Sequence, residues 1–476
     1  MKEKRAIFIS TVSQIIVRFF TLAFTLVAVK LITNHLGPAG TGNYNTISTY
    51  LNFFIVIADL GLFSVTVREI SKKPEDEKKI LSNVLVIRAV TALLAVLVSI
   101  LVVFLTNFNH DVKIGTLIAS GFLFFNLLSS VYDMILQHRL KMQFSAGAEF
   151  IARIITLIAL FAIIRLNLGF YFIVSTITLS GILIYILKRY FASKFVAFSP
   201  KYNKEVSNWI FTLSWPLGIV FVVNNLFFKI DTLMVAAIKG PVAVGIYSTA
   251  YKVLEVIVFV GGYFASSLKP ILSREITNNK KNVANIITKS INIMLILALP
   301  ITIVCVVFPK EIIEFISSKD FLSGSNALIL LAFTLPFIYL DNLLGEILLA
   351  NNERKLLTKI AVSLLAFNFL TNLYFIPKYS FMGAAVTTLA SEILLFIINY
   401  YFTKKIIPYR LDRSGLFKIF LTSIITFVLA LFVRRLEINF LVSIFSLLAI
   451  YLGICFAFRI ISPSFIKEFK KEEADA

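Results

Sequence analysis

The chain has 476 residues, 58% of them hydrophobic and 15% charged, with a mean hydropathy of +0.89. A soluble domain carries about 45–50% apolar and about 25% charged residues, so a water-soluble globular enzyme is excluded and the apolar excess must face lipid. The net charge of +20 sits in short connections between apolar runs, not on a folded basic domain, which excludes nucleic acid as a partner.

In chain order, Met1–Arg5 is basic. The following apolar stretch contains Ser10, Ser13, Gln14 and Arg18 and has no small-residue cleavage site, so it reads as an uncleaved first helix. A spanning helix needs about 20 mostly apolar residues. Fourteen runs qualify: 7–33, 43–67, 80–105, 114–136, 145–165, 169–191, 209–237, 243–268, 285–308, 324–350, 356–376, 381–403, 416–433 and 438–461. They are too long and too uniformly apolar for strands. Alternate connections differ sharply in charge: residues 68–79 hold Arg68, Lys72, Lys73, Lys78 and Lys79, whereas residues 34–42 hold no Lys or Arg. Kept up along the chain, that bias places the N- and C-termini on the cytoplasmic side of a multi-pass inner-membrane protein. The longest connections, 192–208 and 404–415, are basic and leave no room for a soluble domain. The tail from Ser462 reads as a charged surface segment. Cys305 and Cys455 lie in apolar runs, and His35, His110 and His138 are scattered near helix ends, so no disulfide, metal or cofactor site is expected.

Two segments repeat. Gly37-Pro38-Ala39-Gly40-Thr41-Gly42-Asn43-Tyr44 follows the first span, and Gly240-Pro241-Val242-Ala243-Val244-Gly245-Ile246-Tyr247 follows the seventh. Both read G-P-x-x-x-G-x-Y. Glycine ends a helix and proline opens the next, but that local logic does not predict the same order at the same place in each half. The offset is six helices, so the halves are parallel repeats: a first lobe over 1–200, a second over 201–403, and two extra helices with the tail over 404–476. Transporters built in this way bind substrate between repeats and alternate access by rocking.

Ionisable groups inside spans mark candidate sites, because each costs at least about 2.5–3.5 kcal/mol at a helix centre unless it faces protein or water. They are Arg18, Asp59, Arg88 and Arg153 in the first half, and Lys229, Asp231, Lys252, Glu255, Asp341, Glu346 and Glu392 in the second. Arg18 lies near mid-membrane, and Gln14, Thr21 and Thr25 share its helix face, which reads as cavity lining; the alternative for Arg18 is a structural ion pair, with Asp59 as the partner. Lys252 and Glu255, three apart, can pair locally. Asp59, Lys229, Asp231 and Asp341 are candidates for ion pairing or for coupling to a cation gradient.

Ser214-Trp215-Pro216-Leu217-Gly218, Lys229-Ile230-Asp231-Thr232-Leu233-Met234 and Val244 through Lys252 resemble the polysaccharide-type flippases of the multidrug/oligosaccharidyl-lipid/polysaccharide exporter superfamily. Leu136-Gln137 through Lys141-Met142, Asn372 through Pro377, Gly383-Ala384-Ala385 and Ser391-Glu392 extend the resemblance over roughly residues 5–403. It implies an all-α integral membrane protein with two six-helix lobes and a cavity between them. The implied activity is movement of a lipid-linked oligosaccharide from the inner to the outer leaflet, without enzymatic chemistry. Membrane lipids and glycan-assembly enzymes are the implied partners. On that reading Arg18, Arg88, Arg153 and Lys252 would hold the carrier's phosphate through charge-assisted hydrogen bonds. Tyr44, Asn45, Tyr50, Asn52, Asn224, Asn225, Tyr247 and Tyr251 would meet the sugars. The alternatives are a cation-coupled drug exporter, which needs an acidic cavity, and an intramembrane glycan polymerase or ligase, which needs a catalytic set that the short outer loops do not supply. No phosphate-binding loop G-x-x-x-x-G-K-[ST] is present.

Overall fold

The computed structural model describes residues 2–227, 229–278, 280–436, 438–458 and 460. For some of these, Arg18, Asn224 and Asn225 among them, the backbone alone is described; the tail from Ser462 lies outside the described residues. The regular elements are helical: α1 (Lys2–Asp59), α2 (Leu62–Lys72), α3 (Glu77–Leu105), α4 (His110–His138), α5 (Met142–Arg165), α6 (Phe170–Ser193), α7 (Lys204–Phe227), α8 (Ile230–Lys239), α9 (Pro241–Asn278), α10 (Lys280–Val307), α11 (Pro309–Ile316), α12 (Ser325–Ala332), α13 (Leu335–Ala350), α14 (Arg354–Tyr379), α15 (Phe381–Ile406), α16 (Arg413–Arg435) and α17 (Phe440–Ala457). Helices dominate because lipid offers no partner to an unpaired backbone N–H or C=O. Among the described residues 11 helices are long and apolar enough to cross a membrane, or 12 if the pair Lys319–Ala332 and Leu335–Ala350, bent by 41°, is one span. One of the 11, Phe20–Lys72, takes in the second half of the predicted span 7–33 and all of 43–67.

Backbone breaks fall both between predicted spans and inside them. Gly37 (φ 62°, ψ −173°) divides α1, so its two parts are distinct helices. Gly240 (φ 79°, ψ −173°) does the same between α8 and α9. The two repeat copies therefore share a backbone turn that glycine adopts without strain. The predicted span 43–67 stops at Leu60 (φ 46°) and Gly61 (φ 72°), which separate α1 from α2. The predicted span 209–237 splits into α7 and α8, with Lys229 at the start of α8.

The chain forms two compact units: residues 1–248 with 316–320, and residues 249–315 with 321–476. In the first, Ile47, Leu51 and Phe54 of α1 pack on Ala92 and Ala95 of α3, Leu123 and Leu127 of α4, and Val174 of α6. In the second, Ile303 and Val307 of α10 pack on Ala430 of α16 and Leu447 of α17. Helix α3 shows how membrane helices sort their faces: Ala92, Ala95 and Ser99 are buried, while Val90, Leu94, Leu97, Leu101 and Phe104 are exposed. Helix α16 repeats this, with Thr422, Thr426 and Ala430 inside and Phe417, Ile424, Val428 and Phe432 outside. Small residues let backbones approach and large apolar ones meet lipid.

Within the first unit the two repeat copies pack on each other. Gly42 lies against the Pro241 carbonyl, and Gly245 lies reciprocally against that of Pro38. Asn45 Nδ2 donates to Ser248 Oγ at 2.6 Å, between positions 203 apart in sequence.

Candidate functional site

Four helices of the first unit, α1, α4, α5 and α6, enclose a cavity of about 330 Å³. Each offers one face. Tyr44, Ser48 and Asn52 come from α1 at intervals of four; Glu149, Arg153 and Thr156 come from α5 at four and three; Thr176, Ser180 and Ile184 come from α6 at four and four. These intervals stack side chains on a helix. Thr21 of α1 and Phe122 and Asn126 of α4 complete much of the wall. Hydroxyls and amides dominate, in a protein whose helices are otherwise apolar. Such a lining in lipid is costly unless it faces water or a polar ligand.

Among the described residues Arg153 has no hydrogen-bond or ion-pair partner, and it shares the cavity wall with Tyr44. Glu149, one turn away, accepts from Lys188 Nζ of α6 at 2.8 Å. Lys188 also donates to Asp133 Oδ2 of α4 at 2.7 Å, and the Ser145 hydroxyl donates to Asp133 Oδ1 at 2.6 Å. Three helices are thus joined by one buried lysine. Asp133, Glu149 and Lys188 were not singled out from the sequence. Asp133 and Lys188 each sit within two turns of a helix end, where an interfacial role is the ordinary expectation.

The other candidates are dispersed. Arg88 of α3 has no exposed surface. Its guanidinium pairs with the Asp59 carboxylate and donates to the carbonyls of Ala58 at 3.3 Å and Asp59 at 3.4 Å. It is therefore enclosed at the end of α1, where the expectation was a cavity wall. Lys252 pairs with Glu255 at 2.6 Å, the local alternative. Asp231 is buried and accepts from the Tyr247 hydroxyl at 2.9 Å. Lys229 is partly buried at the break before α8. Asp341 of α13 accepts from Asn399 Nδ2 of α15 at 3.1 Å. Arg18 falls outside the described side chains. Of the expected sugar contacts, Tyr44 and Asn52 line the cavity, Tyr50 donates to the Ser99 carbonyl at 2.7 Å, and Asn45 and Tyr247 take the roles given above.

In the second unit Asn372 and Ser391, from two of the stretches that carry the resemblance, belong to a buried polar ladder. Asn372 Nδ2 donates to Asn368 Oδ1 at 2.8 Å, Asn368 Nδ2 donates to Ser391 Oγ at 3.2 Å, and the Thr387 hydroxyl donates to Asn372. The ladder ties α14 to α15. Among the described residues no three His, Cys, Asp or Glu side chains are placed to hold a metal ion.

Comparison with known proteins follows the same lines. The polysaccharide biosynthesis protein family matches residues 4–276, and the MatE family matches residues 216–374. The chain is 27% identical over 228 residues to the capsular polysaccharide biosynthesis protein CapF of Staphylococcus aureus, covering 46% of this chain and 57% of that one. It is 23% identical over 199 residues to the probable low-salt glycan biosynthesis flippase Agl15 of Haloferax volcanii, covering 41% and 42%. The chain thus spans about half the length of these two relatives. The solved structure of the lipid II flippase MurJ in an inward closed conformation has the same fold, with a TM-score of 0.80 at 20% identity, over 94% of this chain and 98% of that one.

Proposed function

The chain belongs to the polysaccharide biosynthesis protein family, and from that premise we propose that it is a flippase carrying a polyprenyl-phosphate-linked oligosaccharide from the inner to the outer leaflet of the cytoplasmic membrane. The observation that carries the reading is Arg153, a cation in a polar cavity with no protein counterion among the described residues. A phosphate entering the membrane loses its hydration, and a fixed guanidinium offsets that loss through two parallel hydrogen bonds. The surrounding hydroxyls and amides suit the hydroxyl-rich sugars, and Tyr44 and Phe122 offer aromatic faces.

Arg18 is the second phosphate candidate, because Thr21, one turn along α1, lines the same cavity. Arg88 and Lys252 have carboxylate partners, and in this reading they hold the fold. Substrate moves by alternating access, and Asp341, buried on α13 and held by the neutral Asn399 amide, is the carboxylate we assign to coupling, whereas Asp59 is committed to the Arg88 cation. The N- and C-termini are cytoplasmic, and glycan-assembly enzymes supply the substrate. The drug-exporter alternative, which needs a carboxylate in the cavity free for a cationic drug, is disfavoured because the cavity's Glu149 is already held by Lys188.

The test is transport. Protein reconstituted into vesicles is expected to expose a fluorescent lipid-linked oligosaccharide on the opposite leaflet faster than protein-free vesicles do. Collapsing a proton gradient, a sodium gradient and the membrane potential separately identifies the driving force. Equal rates with and without protein would end the reading.

A further inference from the structure

Glu149 and Arg153 lie four apart on α5, with the acid on the N-terminal side. That is the spacing and order in which a carboxylate and a cation ordinarily pair on a helix. Here they do not pair. Glu149 instead accepts from Lys188 at 2.8 Å, and Arg153 has no ion-pair partner among the described residues. Lys188 can compete because it is anchored: it is 4% exposed and held at 2.7 Å by Asp133, which Ser145 in turn fixes. A buried ammonium with three donors can serve two carboxylates at once. It reaches from α6 to α4 with one bond and to α5 with the other.

We propose that Lys188 is a positioning residue for substrate binding: it draws the Glu149 carboxylate away from Arg153 and so leaves the guanidinium open to a phosphate oxyanion. This rests on the reading of Arg153 given above. Without Lys188, Glu149 turns to Arg153, and an internal salt bridge occupies the donors that the phosphate needs. Lys188 never touches the substrate. It decides which of two anions, the protein's own or the substrate's, the arginine holds.

The test is a cycle of variants in phosphatidylcholine nanodiscs, with a polyprenyl diphosphate bearing one N-acetylhexosamine as the probe. Lys188→Met is expected to weaken probe binding by at least about tenfold, as is Arg153→Gln, and combining them weakens it no further. Adding Glu149→Gln to Lys188→Met is expected to restore binding, because a neutral amide cannot neutralise Arg153. A lysine that merely supports the fold would not allow that rescue, since Asp133 stays unpaired in both variants. Should Lys188→Met fail to fold, Asp133→Asn/Lys188→Met removes both charges of the buried pair and carries the same prediction. Glu149→Gln alone is expected to tighten probe binding. Unchanged binding in folded Lys188→Met, or absence of rescue, would overturn the role of Lys188 while leaving a weakened Arg153→Gln, and with it the phosphate reading, intact. Unchanged binding in Arg153→Gln would instead remove the phosphate reading itself.

Discussion

Arg88→Met is expected to lower stability by about 3–5 kcal/mol, the usual effect of removing one partner from a buried ion pair. The guanidinium has no exposed surface and holds three acceptors: the Asp59 carboxylate and the carbonyls of Ala58 and Asp59. Those carbonyls belong to the last turn of α1, where helical partners run out and the dipole's negative end gathers. Leu60 and Gly61, both at positive φ, then interrupt the helix before α2, so Arg88 closes a helix end that the break leaves open. Removing it strands a carboxylate and two carbonyls together. Asp59→Asn/Arg88→Met is expected to recover much of the loss, because the uncompensated charge is gone. Unfolding midpoints in detergent test this: wild-type stability in Arg88→Met would mean that the pair does not hold α1 to α3.

Gly42→Val and Gly245→Val are expected to have the next largest effect. A Cβ on Gly42 would fall inside van der Waals contact with the Pro241 carbonyl, and one on Gly245 inside contact with that of Pro38. Both obstacles are backbone, which cannot rotate away as a side chain can. Overpacking costs about 1–3 kcal/mol where side chains adjust, and the backbone contact puts these variants at the upper end. The contact is reciprocal, so either substitution parts the two repeat copies. A short thiol-reactive crosslinker on Asn45→Cys/Ser248→Cys reports it: efficient crosslinking is expected with both glycines present and a sharp fall with either valine. Retained crosslinking would show that the close approach is dispensable.

These residues also mark how far the sequence could be read. Helices such as α3 and α16 were legible because apolar length alone demands them in lipid. The turns at Gly37 and Gly240 were legible as repeated motifs, and their matched dihedrals follow. That the copies touch was not legible, since an offset of 203 residues carries no distance. Arg153 was visible as an ionisable group in a span, while the polar wall around it, drawn from α1, α4, α5 and α6, needed the packing of the helices. Arg88 and Asp59 were both visible for the same reason, but nothing in the sequence joined them: 29 positions apart, they are brought together by the end of α1. Asp133, Glu149 and Lys188 were passed over because each, on its own helix, resembles an ordinary residue near an interface. Only the packing of α4, α5 and α6 makes them one network. The breaks at Leu60 and before Lys229 sit inside runs whose average hydropathy stays high, so the polar residues beside them, Asp59 at the first and Lys229 and Asp231 at the second, were read as site candidates and not as helix ends.

The central claim is that the polar cavity of the first unit carries the substrate's phosphate on Arg153. Its most direct measurement is the rate at which vesicles containing wild-type protein, Arg153→Gln or Arg153→Lys turn a fluorescent lipid-linked oligosaccharide over from one leaflet to the other. The account predicts rapid movement by wild type, a fall of about tenfold or more in Arg153→Gln with the fold retained, and an intermediate rate in Arg153→Lys, which keeps the charge but not the bidentate geometry. Movement by Arg153→Gln at the wild-type rate would contradict it.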